Sequence, residues 1–87
     1  MTYRIEVKPQ AEKALARIPN PNRRRIATVI DGLARNPRPA GCVKLTGTTD
    51  VWRIRVGDYR VVYEVFQKVL IVHIIRIGHR KDVYRGL

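Results

Sequence analysis

Cysteine is almost absent: Cys42 stands alone among 87 residues. That excludes an intrachain disulfide and any zinc site built on cysteines. Acidic residues are scarce too, 7 against 18 lysines and arginines, which leaves a formal net charge of +11. So much positive charge exceeds what solubility requires and strains the compact state by self-repulsion. It points to a polyanionic partner: a nucleic acid, an acidic protein or an anionic membrane surface. The membrane is the weakest of the three. No stretch is apolar for long enough to span a bilayer, and the N-terminus lacks a signal-peptide pattern. The lone cysteine suits a reducing, cytoplasmic setting, which is the expectation. No metal-ligand spacing and no Gly-rich phosphate loop occurs, so no metal and no cofactor are expected.

What is present supports a packed domain. Hydrophobic residues make up 45% of the chain, and the length suits one domain over residues 1–87, with a modest core. Tyr3, Ile5 and Val7 alternate with Arg4, Glu6 and Lys8, the period of a half-buried strand. Pro9 ends it and suits the first turn of a helix. Ala11, Ala14, Leu15 and Ile18 then make one apolar stripe.

Pro19-Asn20-Pro21 breaks that helix. Asn20 is expected to cap a second, with Pro21 at its first position. This helix carries Ile26, Val29, Ile30, Leu33 and Ala34 on one face and runs to about Arg35, where Asn36-Pro37 stops it. Each helix is too short to persist without packing on a sheet. Arg23-Arg24-Arg25 falls in the first turn of the second helix, against the helix dipole. The run reads as a solvated basic face, with contact to phosphate or an acidic partner as the alternative.

Residues 37–50 read as a loop, with Lys44-Leu45 a short extended piece. Cys42 has no neighbouring base to activate it. Val51 to Val56 is a strand, and Gly57-Asp58 reads as a type II′ hairpin turn. This register sets Val56 opposite Tyr59, Arg55 opposite Arg60, Ile54 opposite Val61 and Arg53 opposite Val62. Trp52, Ile54, Val56, Tyr59, Val61 and Tyr63 then face the helices, and Arg53, Arg55, Arg60 and Glu64 face away. Facing like charges destabilise a hairpin, so the arginines read as an anion site that grips phosphate in bidentate fashion. Glu64 reads as a neutralising partner for an arginine.

Val69 to Ile77 is nearly continuous in apolar residues and reads as a central strand ended by Gly78. His73 within it reads as a packed histidine rather than a catalyst. The tail His79-Arg80-Lys81-Asp82-Val83-Tyr84-Arg85 adds basic groups, an imidazole and a phenol.

The block from Trp52 to Glu64 and the ending Ile77-Gly78-His79-Arg80-Lys81-Asp82-Val83-Tyr84 resemble the RelE/ParE toxin superfamily, in particular its RelE-like mRNA interferase branch. Lys44-Leu45-Thr46-Gly47 and the strand-helix-helix-sheet order agree with the resemblance, which spans nearly the whole chain. It implies an α+β fold: an N-terminal strand and a helical hairpin packed on a twisted, mainly antiparallel four-stranded sheet. It implies an endoribonuclease that cleaves mRNA in the ribosomal A site, and a cognate antitoxin that blocks the site. Partners would then be the antitoxin, the ribosome and mRNA, with operator DNA engaged only through the antitoxin. The family's functional positions fall on Arg53, Arg55, Arg60, Arg80 and Tyr84. Arg55, Arg60, Arg80 and Tyr84 would be catalytic; Arg53, His79 and Lys81 would bind substrate.

One departure matters. The best-known RelE members carry lysines where this chain has Arg53 and Arg55, and arginine rarely gives up a proton. A lysine base does not transfer, and the acid and base stay unassigned. Cleavage without a metal needs the ribose 2′-OH as nucleophile, in-line geometry and stabilisation of the phosphorane. Two other classes compete: a ParE-like inhibitor of DNA gyrase with no nuclease chemistry, and a plain basic nucleic-acid-binding module.

Overall fold

The computed structural model describes residues 2–79. In chain order the elements are β1 (Arg4–Val7), α1 (Pro9–Arg17), α2 (Asn22–Leu33), β2 (Val43–Lys44), β3 (Val51–Val56), β4 (Tyr59–Phe66) and β5 (Ile71–His79). The five strands form one sheet in the order β1-β5-β4-β3-β2. β1 pairs parallel with β5, and every other pairing is antiparallel. Four strands were expected; the fifth, β2, is two residues long and pairs with Arg53 and Trp52 of β3. It lies one residue before the extended piece read at Lys44-Leu45.

Both helices pack on one face of the sheet, α1 over β5 and α2 over β3. α1 begins at Pro9, as a proline with no N–H to lose should allow. Glu12 in its first turn and Arg17 in its last complement the dipole. Its stripe buries Ala11 and Ile18, and α2 buries Ile26, Ile30 and Leu33. These meet Ile54, Val56, Val61, Tyr63, Val65, Val72, Ile74 and Ile77 of the sheet in one core.

The start of α2 differs from expectation. Pro21 occupies the N-cap and Asn22 opens the helix, with no side-chain cap. Backbone carbonyls take the capping role instead: Arg23 N–H donates to Pro19 O and Arg25 N–H to Pro21 O. The helix ends at Leu33, and the chain closes it as Ala34 N–H donates to Asp31 O and Arg35 N–H to Gly32 O.

β5 also shifts, to Ile71–His79, with Gly78 inside the strand. The reason is the length of β4, which runs to Phe66 and pairs it with Ile71. Val69 and Leu70 are thereby left in the turn, where Leu70 adopts φ +56. β5 sits between β1 and β4, as its apolar run implied.

Candidate functional site

The β3–β4 hairpin carries the candidate residues Arg53, Arg55 and Arg60. Gly57 has φ +60, and Leu70 is the only non-glycine with positive φ among the described residues. Asp58 therefore has negative φ, and the turn is type II′. Its twist pairs Val56 with Tyr59, Arg55 with Arg60, Ile54 with Val61 and Arg53 with Val62.

Alternation then separates the two faces. Ile54, Val56, Val61 and Tyr63 join the core under the helices. Arg53, Arg55, Arg60, Val62 and Glu64 face away. Arg55 is exposed, and Arg53 and Arg60 are half-buried. The Arg60 guanidinium donates back to Tyr59 O at 3.3 Å, which folds its head along its own strand.

The pairing of β4 with β5 continues the same rows. A bulge between Val62 and Tyr63 of the ladder skips Ile75, so Arg76 pairs with Val62, Gly78 with Arg60 and His73 with Glu64. One row across the sheet therefore reads Gly78, Arg60, Arg55, and the next reads Arg76, Val62, Arg53. Arg76 lies in a strand whose nearly continuous apolar run does not mark it as part of this face. The bulge reverses the alternation, and a bulge has no local signature in an unbroken apolar stretch. The signal that was there is a lone arginine two residues before Gly78.

Glu64 stands opposite His73 and Val51, not opposite an arginine. His73 in turn lies beside Glu6 of β1. His73 is half-buried on the arginine side of the sheet rather than packed in the core. The arginine face thus has a basic end and an end that carries two carboxylates. Glu6 is itself paired with Arg4 at 3.0 Å.

His79 is placed differently from expectation. It pairs with Tyr59 and its ring meets the Tyr59 ring edge-on, with centroids 5.3 Å apart. Tyr59 packs against the core, on the helix side. The imidazole is therefore on the opposite face from Arg55 and Arg60, because an odd number of steps separates it from Gly78. Arg80, Lys81 and Tyr84 lie outside the described residues.

A second cluster, at the other end of the hairpin, was not foreseen. Arg38 donates to both carboxylate oxygens of Asp50, at 2.9 and 3.1 Å, and Trp52 Nε1 donates to Asp50 at 2.8 Å. The Arg38 guanidinium also lies 5.4 Å from the Trp52 ring centroid, a cation–π contact. Partial burial works against the Asp50 carboxylate. The hydrogen bonds from Trp52 and Arg38, with the charges of Arg38 and Lys44, outweigh it and hold its pKa below the ordinary aspartate value. Nearby, the buried Tyr63 hydroxyl donates to Pro37 O at 2.7 Å. Burial, reinforced by Cys42, pushes the Tyr63 phenol well above the ordinary tyrosine range. These contacts fasten the loop between α2 and β3 to the sheet.

On the helix side, Pro21, Arg24, Arg25, Thr28, Val29 and Val56 line an apolar groove of about 500 Å³. Two arginines of the Arg23-Arg24-Arg25 run thus border an apolar surface. No helix among the described residues is long and apolar enough to cross a membrane, and among them no cluster of His, Cys, Asp and Glu suited to a metal occurs.

Two helices on one face of a small mixed sheet, with arginine rows on the other, define an α+β protein with a basic sheet face. The chain belongs to the ParE toxin family of type II toxin-antitoxin systems (parDE), whose sequence model matches residues 5–84. It is 30% identical over 89 residues to the toxin candidate RelE1 of Methanocaldococcus jannaschii, with 99% of each chain covered. The fold is that of RelE toxins. The RelE-RelB complex of Pyrococcus horikoshii contains a chain that superposes with a TM-score of 0.83 at 37% identity, covering 93% of this chain and 98% of that one. A mutant E. coli toxin RelE in the free state superposes with a TM-score of 0.82 at 25% identity, covering 97% and 92%.

Proposed function

We propose that this toxin is a metal-independent endoribonuclease that cleaves mRNA in the ribosomal A site and so inhibits translation. The observation that carries the reading is the facing pair Arg55 and Arg60, with Arg53 on the same face. Facing like charges cost stability, and a phosphate between them recovers it through charge-assisted, bidentate hydrogen bonds. In this reading the ribose 2′-OH attacks its own phosphate, giving a 2′,3′-cyclic phosphate and releasing the 5′ oxygen. Arg55, Arg60 and Arg80 hold the phosphate and stabilise the extra charge of the phosphorane. Tyr84 stacks on the base or assists proton transfer, and Lys81 adds a phosphate contact. His79, on the Tyr59 face, is removed from this set. The ribosome supplies orientation and the missing proton-transfer groups, which accounts for a face rich in arginine and poor in bases.

The cytoplasmic partner in this reading is a cognate antitoxin, through which alone the toxin meets operator DNA. The support is the RelE-RelB complex to which this chain is similar. The apolar groove bordered by Arg24 and Arg25 fits an acidic amphipathic segment of such an antitoxin.

Mapping mRNA ends after incubation of purified toxin with programmed ribosomes tests the function. New ends within the A-site codon are expected, and intact mRNA would overturn it. The name of the matching family model, ParE, favours a second reading as a gyrase inhibitor. Loss of supercoiling in a gyrase assay, with intact mRNA on ribosomes, would select it.

A further inference from the structure

Beyond the Arg55–Arg60 pair, we infer that Arg53 and Arg76 form a second phosphate subsite that holds the neighbouring phosphodiester of a single-stranded RNA. The inference rests on the nuclease reading for the identity of the polymer, but its geometry stands on the sheet alone.

Arg76 and Arg53 flank Val62 in one cross-strand row. Their backbones are two strand spacings apart, about 9–10 Å, a gap that two arginine side chains close onto a single phosphate. Val62 is fully buried yet stands outside the helix-side core. The two half-buried arginines beside it are placed to lay their stems over it. Seated in this way, the guanidinium groups lose little freedom on binding. Arg76 is already engaged within the chain, so in this proposal a phosphate shares or replaces that interaction.

The row of Arg53 and Arg76 lies two residues along β3 from the row of Arg55 and Arg60, about 6.6–6.8 Å away. That step is comparable to the interval between successive phosphates of an extended strand. In the row beyond, Glu64 and His73 stand opposite each other with Glu6 beside His73. Glu6 is already neutralised by Arg4, and the Glu64 carboxylate disfavours a third phosphate there, so the face holds two consecutive phosphates.

The experiment is binding of a labelled single-stranded oligoribonucleotide by the full-length toxin across a salt series, alongside cleavage on programmed ribosomes. Arg76→Gln is expected to weaken binding several-fold and to lower the log–log salt slope by about 0.7, the value of one phosphate contact on a single strand. Arg76→Lys should keep the slope and still lose affinity, because it keeps the charge but not the fork; it also serves if Arg76→Gln fails to fold. Arg35→Gln removes an exposed charge off this face and should leave the slope unchanged. Unchanged affinity and slope in Arg76→Gln, an equal drop in Arg35→Gln, or no binding by the wild type would each overturn the subsite. Failure of the wild type to cleave, with the slope still falling in Arg76→Gln, would overturn the nuclease reading and leave the subsite standing.

Discussion

Arg55 stands directly across from Arg60 in the β3–β4 ladder, on the face turned away from both helices. The pair is a stability cost placed where a two-residue turn makes it unavoidable. Arg55→Gln should therefore raise the melting temperature by about 1–3 °C while lowering mRNA cleavage. Opposite signs in a melt and a cleavage assay are the expected pattern; a variant that gains stability with full activity would remove the pair from the site.

Arg60→Ala and Tyr84→Ala should each reduce growth arrest on expression, and should lower cleavage on ribosomes by about 10²-fold or more if each supplies transition-state stabilisation. Antitoxin binding should remain measurable in both. Full toxicity in both variants would sink the assignment.

Tyr63→Phe should cost about 1–3 kcal/mol, because Pro37 O is left buried without its donor. The raised phenol pKa means that its stabilisation is complete below the ordinary tyrosine value of 10.0 and is lost as pH rises through the folded-state value. In an alkaline spectrophotometric titration the wild type should show a retarded phenol that is missing from Tyr63→Phe.

Asp50→Asn should weaken the clamp on the loop before β3 by about 1–2 kcal/mol at pH 7. The Asp50 carboxyl is held below its ordinary value of 3.8. Its contribution is therefore full above that value and declines as pH falls through the lowered folded-state value. Melting curves of wild type and variant should converge at the acid end and separate near neutrality.

Gly57→Ala should destabilise by about 1–2 kcal/mol from backbone strain alone, since φ is +60 and no atom lies within 4 Å of an added Cβ. A chemical-denaturation curve measures it. A neutral result would mean that the turn changes type.

Much of the fold was legible in the chain because its signals are local. The alternation of β1, the stripes of both helices and the Gly57-Asp58 turn each depend on neighbours within a few residues. The turn alone set the facing arginines, since a two-residue loop leaves one register for its strands. The four-residue connection between β4 and β5 offered no such constraint, and the strand bounds moved by two residues.

The sequence by itself determined the charge, the hairpin register and the arginines at Arg53, Arg55 and Arg60. Only the tertiary structure decided that Arg76 joins them and that His79 does not, because side-chain direction on β5 depends on a bulge. It alone brought Arg38, Asp50 and Trp52 together, since long-range closure of the loop before β3 leaves no periodic trace in the chain. It also gave the arginine face its two ends, by laying β1 parallel beside β5 so that Glu6, His73 and Glu64 share a row.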